Sequence, residues 1–280
     1  IYARSEAGES PPSYCTVFHH MVKSAGSTVK STLRRASVVD GVPLPGKPCA
    51  RDMGRDPECI EGLKYSAVIS GYGELIRDPL HDSGRQCEYF TMMREPVERL
   101  VSAFFYCPSD HDIQARPAKL CGHYPSEIPA TERLLEFAQT LWKNQAFRQM
   151  TFGIHCPPSA MCEESLIGDY LSLESNERQN VLQKVQGLLT TYAAVGIMGY
   201  YDLSMELFNA RVRSPVHDWT SANKVRNPGQ SSDVREEVFQ WAQQSPEIHS
   251  LLEADLLLYG YAVELFKNQT SEALGTVWGQ

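Results

Sequence analysis

Short apolar, β-prone runs alternate along this chain with longer stretches whose apolar positions recur at helical spacing. Residues 14–18, 66–70, 87–93 and 193–198 are runs of the first kind and are expected as strands. Residues 27–36, 96–106, 131–142, 176–190, 202–211, 233–244 and 249–267 carry the helical pattern. This order predicts a three-layer α/β domain, with a mainly parallel central sheet flanked by helices. Ligands of such sheets bind at the carboxyl ends of the strands. The Pro-, Gly- and Cys-rich residues 41–59 read as a surface loop, and residues 107–130 and 153–163 as similar insertions. Residues 1–13 are polar and read as a frayed stem remnant, 14–267 as one domain and 268–280 as a C-terminal tail.

Two strand-to-helix junctions stand out within this pattern. The first is Phe18-His19-His20-Met21-Val22-Lys23-Ser24-Ala25-Gly26-Ser27-Thr28. Ser24, Ala25, Gly26, Ser27 and Thr28 have small side chains, so backbone N–H groups can approach an anion closely. The following helix adds orphan amides and the positive end of its dipole. Lys23 contributes a mobile point charge. The second junction, Arg94-Glu95-Pro96-Val97-Glu98-Arg99-Leu100-Val101-Ser102, repeats the plan. Arg94 at a strand end suits a bidentate grip on phosphate, and Pro96 suits the first turn of a helix. Singly, each also reads as an ordinary turn with a solvated cation, and Glu95, Glu98 and Arg99 as a solvated helix face. Together they are what a nucleotide with two separate anionic groups requires. The Walker A order G-x-x-x-x-G-K-S/T is absent, because Lys23 precedes Gly26, and no strand-end Asp marks a magnesium site.

The two segments resemble the 5′-phosphosulfate loop and the 3′-phosphate motif of the Golgi carbohydrate sulfotransferases. These are the heparan sulfate 2-O-/6-O- and galactose-3-O-sulfotransferase-like enzymes, which use 3′-phosphoadenosine 5′-phosphosulfate (PAPS). Phe18, His20, Lys23, Ser24, Ala25, Gly26, Ser27 and Thr28 fit the first motif; Arg94, Glu95, Pro96, Val97, Arg99, Ser102, Phe104 and Tyr106 fit the second. Residues 144–150 resemble the family's N-x-Q-x-R-x-L helix start with Gln and Arg displaced, 195–207 its late strand and helix, and 254–266 its closing helix. The resemblance thus spans residues 14–267. It implies a P-loop-like sulfotransferase fold, PAPS without a metal, a Golgi-luminal setting and a type II membrane anchor upstream of residue 1.

On that resemblance Lys23 is the catalytic cation. It would neutralise charge on the leaving oxygen as the sulfuryl group moves in line to an acceptor hydroxyl. The loop from Lys23 and Ser24 through Ala25, Gly26, Ser27 and Thr28 would hold the 5′-phosphate, and Arg94 with Ser102 the 3′-phosphate. Lys224 and Arg226, in a basic loop before the helix at 233, are candidate ligands for the cofactor or an anionic acceptor, or simply solvated. Where relatives carry a Gly-His pair this chain has Gly71-Tyr72, and a Tyr with a pKa near 10 is a poor base. Glu74 is the first candidate base, with His20 and His123 in reserve.

Composition narrows the partners. With 280 residues and 42% hydrophobic content, one domain can bury a sizeable core. No run of 18 apolar residues occurs to span a membrane. A net charge of −8 lowers the expectation of a polyanionic acceptor. A neutral or lightly charged glycan, a glycolipid head group or a small hydroxylated metabolite fits as well, and nucleic acid is not expected. Tyr72, Tyr106, Tyr124, Trp142 and Trp219 are candidates for stacking on sugar rings or for the core. Cys49/Cys59, Cys107/Cys121 and Cys156/Cys162 are natural disulfide pairs of open connectivity, while Cys15 and Cys87 read as buried thiols. No C-x-x-C or H-x-x-x-H spacing suggests zinc. Asn268-Gln269-Thr270 is an N-glycosylation sequon, suited to a secretory glycoprotein. Two rival functions remain: a catalytically inactive member of the fold that binds glycan or 3′-phosphoadenosine 5′-phosphate (PAP), and a P-loop-like nucleotide kinase.

Overall fold

The structure is a computed structural model. It describes residues 14–21, 23–25, 28–29, 31–33, 66–70, 86–106, 127–152, 170–213, 218–221 and 233–278. Strands β1 (Tyr14–His19), β2 (Ser66–Ser70), β3 (Gln86–Met93) and β4 (Ala194–Ile197) form where the apolar runs predict them. They make one open sheet in the order β2-β1-β3-β4, and every neighbouring pair is parallel. Val17, Phe18 and His19 of β1, Phe90 to Met93 of β3 and all of β4 are buried. These strands therefore read as continuous runs rather than alternating ones, as parallel strands covered on both faces do.

Helices make up most of the rest. Residues 28–29 and 31–33 are helical after β1. The long crossover from β3 to β4 carries α1 (Pro96–Phe104), α2 (Ala130–Phe137), a π-helical turn (Ala138–Trp142), α3 (Gln145–Phe152) and α4 (Ser175–Thr190). After β4 come α5 (Tyr201–Arg211), α6 (Asp233–Gln244), α7 (Pro246–Leu251) and α8 (Glu253–Leu274). The sheet core packs Phe18, Phe90, Phe208, Phe266 and Trp219 with α3, α4, α5 and α8. A second, purely helical core joins Val97, Leu100, Phe137, Trp142, Val238 and Ile248 from α1, α2, the π turn, α6 and α7.

A buried polar knot ties the two cores together. Arg99 of α1 and Asp255 of α8, 2% and 0% exposed, form an ion pair at 2.6 Å. Arg99 also donates to Gln145. Asp255 accepts the amides of Ala146 and Phe147 at 3.1 and 2.7 Å, which caps α3 from outside. In return Asn144 accepts the amides of Ala254 and Asp255 at 2.9 and 3.3 Å at the start of α8. The two helix starts cap each other. Burial lowers the Arg99 pKa, and the adjoining Asp255 opposes that.

The helix expected at 249–267 is two helices, broken at Leu252, and the second runs on to Leu274. Residues 268–274 are thus helix rather than tail, and Gly275 ends them in the left-handed region at φ 67°. Beyond that turn Trp278 folds back against Phe266 and Tyr200 and donates to the Thr270 hydroxyl. Thr270 of the sequon is therefore buried within helix. Gly196 has a packing reason: a Cβ there would meet Phe208 at 2.8 Å and Ser204 at 3.0 Å, so α5 lies directly on β4. The Ser204 hydroxyl accepts the Ile197 amide at 2.9 Å and lies 2.8 Å from the Tyr200 carbonyl, fixing the turn between them.

Candidate functional site

Strand order locates a crevice. From β1 the chain moves to β2 on one side, then returns to β3 on the other, so the order reverses between β1 and β3. Loops leaving the carboxyl ends of two such strands diverge and open a cleft, the usual ligand position of parallel sheets. Both cation-bearing junctions leave the sheet there.

The loop after β1 is unusual backbone. Lys23 and Ala25 take φ values of 64° and 57°, while Ser24 between them does not. Non-glycine residues in this region cost on the order of 1 kcal/mol each. Left-handed residues set between right-handed ones are the kind of backbone found in anion-binding nests, where successive amides converge. Ser24 is fully buried, and its hydroxyl has no hydrogen-bond partner among the described residues. Some amides are already used: Ser24 N–H donates to Met21 O at 3.3 Å and Thr28 N–H to Ala25 O at 2.9 Å. Donors for an anion therefore have to come from elsewhere in the loop. Gly26 and Ser27 lie outside the described residues. Thr28 opens the helical residues and hydrogen-bonds the Tyr201 hydroxyl, so the first residue of α5 touches the loop.

The second junction meets the first directly. Arg94, 13% exposed, donates through Nη1 to the Lys23 carbonyl at 3.3 Å and through Nη2 to Glu98 at 2.7 Å. Its Nε is buried with no partner among the described residues. Glu95 caps α1, accepting the amides of Val97 and Glu98 at 3.1 and 2.6 Å, and Pro96 follows as the first helical residue. Glu98 and Ser102, four residues apart, share the half-buried face of α1, and Tyr106 lies one turn further. The Lys23 ammonium sits 3.7 Å from the centre of the Tyr106 ring. A cation over an aromatic face is held by roughly 0.5–1 kcal/mol at an exposed site.

Of the residues singled out from sequence, the structure brings together Lys23, Arg94 and Tyr106, with Ser24, Ala25 and Thr28 in the same loop and Ser102 on the helix that follows Arg94. His20 is half-buried, with its ring stacked 6.0 Å from that of Phe18. Glu74, His123, Arg226, Lys224, Tyr72 and Tyr124 lie outside the described residues, as do Cys49, Cys59, Cys107, Cys121, Cys156 and Cys162. Cys15 and Cys87 are register partners on the adjacent strands β1 and β3. Trp142 and Trp219, 6% and 0% exposed, are core residues and are withdrawn as sugar platforms. Arg99, a motif residue, holds Asp255 rather than ligand.

Three residues near the site were not singled out. His19 ends β1 fully buried, with Nδ1 2.7 Å from the Tyr192 hydroxyl and Nε2 without a partner among the described residues. Burial pushes its pKa down to about 4, so the imidazole is neutral. Strand alternation carried the signal, since it puts His19 on the face opposite Phe18. Glu98, on what the sequence alone presents as a solvated helix face, is the ion-pair partner of Arg94. Tyr259 of α8 lies near Glu95, Glu98 and Tyr200; burial first, then these neighbours, push its hydroxyl up to about 12.

Among the described residues, no group of His, Cys, Asp and Glu could hold a metal ion. Also among the described residues, no helix is long and apolar enough to cross a membrane. No known family model matches the chain, and no curated protein matches its sequence.

Proposed function

We propose that this chain is a PAPS-dependent sulfotransferase with the P-loop-like sulfotransferase fold, acting on a hydroxyl of a glycan or other hydroxylated acceptor in the Golgi lumen. The observation that carries this reading is the contact of Arg94 with the Lys23 carbonyl at the β1/β3 crevice. It makes two cation-bearing junctions into one site, as a nucleotide anionic at both its 5′ and 3′ positions requires. The nest-like backbone at residues 23–25 and the orphaned hydroxyl of Ser24 fit an anion at the first junction. The buried Nε of Arg94 fits one at the second, and Ser102, about two turns along α1, is its further candidate donor.

When bound, PAPS supplies a sulfuryl group on a phosphate leaving group. The chain's part is positioning and charge. Lys23 and the small-residue loop, Ser24, Ala25, Gly26, Ser27 and Thr28, grip the 5′ end; Arg94 and Ser102 grip the 3′-phosphate. The Lys23 ammonium, released from the Tyr106 face, neutralises negative charge as it grows on the leaving oxygen. A base must take the acceptor's proton: His20 stands beside the loop, and Glu74 and His123 are the other candidates. Arg226 remains a candidate ligand of the nucleotide.

The test is transfer of labelled sulfuryl from PAPS to a panel of neutral glycans and small hydroxylated acceptors. Lys23→Ala is expected to lower the rate by about 10²–10³, the usual loss for one donor to a developing oxyanion. PAP binding without transfer to any acceptor would favour an inactive nucleotide-binding member of the fold. Turnover with ATP and magnesium in place of PAPS would favour a kinase.

A further inference from the structure

The geometry points to Glu98 as the residue that sets how tightly this site holds a 3′-phosphate. It is a built-in counter-anion on Arg94 that a 3′-phosphate must displace and a 3′-hydroxyl does not, so it loosens nucleotides with a 3′-phosphate and leaves those without one unaffected. The inference rests on the reading of the crevice as a PAPS site.

Arg94 is the fixed member of the pair. Its side chain is 13% exposed, sunk between the loop and the head of α1, and Nη1 is committed to the Lys23 carbonyl. Glu98 is 44% exposed and meets Nη2 at 2.7 Å, the length of a charge-assisted hydrogen bond. Glu98 can therefore swing into water without breaking anything else described, whereas Arg94 cannot move without releasing the loop. Glu95 does not substitute for it, because both its oxygens accept amides of α1.

Exchange on a fixed guanidinium favours the ligand with more charge and more acceptor oxygens. A carboxylate brings one negative charge; a phosphate monoester at neutral pH brings about 1.5 to 2 and three acceptor oxygens. A ribose hydroxyl brings none and leaves the Arg94–Glu98 pair intact. Glu98 thus weakens the 3′-phosphate contact by the strength of the pair it must give up, and it does so only for ligands that make that contact.

The experiment is calorimetric titration of the full chain with PAP and with AMP, which lacks the 3′-phosphate, in wild type, Glu98→Gln and Glu98→Ala. Circular dichroism melts of each ligand-free protein establish that it is folded. Both variants are expected to bind PAP roughly fivefold more tightly than wild type, the scale of a partly exposed ion pair, with AMP unchanged. PAP binding that is unchanged or weaker in both variants, or AMP tightened as much as PAP, would overturn the role of Glu98 and leave the cofactor reading standing. No PAP binding by wild type or either variant would overturn the cofactor reading and this inference together.

Discussion

Removing the Asp255 carboxylate is expected to be among the most damaging single changes outside the site. In Asp255→Ala the Arg99 guanidinium keeps its charge at 2% exposure and loses its ion-pair partner at 2.6 Å. Breaking a buried pair from one side costs about 3–5 kcal/mol. The amides of Ala146 and Phe147 also lose their acceptor, and losing such a cap adds roughly 1 kcal/mol. The sum, about 4–6 kcal/mol, is a large part of the 5–15 kcal/mol typical of a folded domain. Urea denaturation followed by circular dichroism measures it, with an unchanged m-value showing that the same cooperative unit unfolds. The double variant Arg99→Met/Asp255→Ala removes the stranded charge and keeps the lost caps and the lost hydrogen bond to Gln145. It should be more stable than Asp255→Ala by about 2 kcal/mol or more. A loss below about 1 kcal/mol in Asp255→Ala, or a double variant less stable than the single, would refute the reasoning.

Further outcomes follow from the same contacts. His19 is neutral when folded, with a pKa of about 4 against 6.5 for the exposed side chain, so the unfolded chain binds its proton first. Stability from this group is therefore intact above pH 6.5 and falls as pH drops toward 4. The loss is roughly 2 kcal/mol between pH 7 and pH 5, and His19→Gln should flatten that slope in urea titrations at the two pH values. Gly196→Ala should cost about 1–3 kcal/mol in the same assay by pushing α5 from β4, because the added carbon falls 2.8 Å from Phe208. Trp278→Ala should lower the melting temperature by several degrees, since the indole covers Tyr200 and Phe266 and donates to Thr270.

The sheet was legible in the sequence because parallel strands covered on both faces are written as unbroken β-prone runs, and each of the four runs is a strand. The loop after β1 was legible as a cluster of small residues behind a lysine, although not its alternating φ values, which the surrounding packing imposes on Lys23 and Ala25. What escaped was decided at long range. The break at Leu252 depends on Asn144 arriving from more than a hundred residues away to cap the next helix. Arg99 reads in the sequence as a phosphate-motif residue or a solvated charge and Asp255 as part of the closing helix, and only the fold pairs them. Glu98 lies four residues from Arg94, so an ion pair was readable from spacing, but its bearing on phosphate was not. The contact from Arg94 to the Lys23 carbonyl, which joins the two junctions, could come only from the order of the strands.

The most direct measurement of the central claim is thermal stabilisation by PAP, set against ATP with magnesium, in wild type and in Lys23→Ala/Arg94→Ala. A ligand at a hundredfold excess over its Kd adds about 2.7 kcal/mol, several degrees in Tm for a domain of this size. The account predicts such a shift with PAP alone, abolished in the double variant. No shift with PAP, or a shift only with ATP and magnesium, would contradict it.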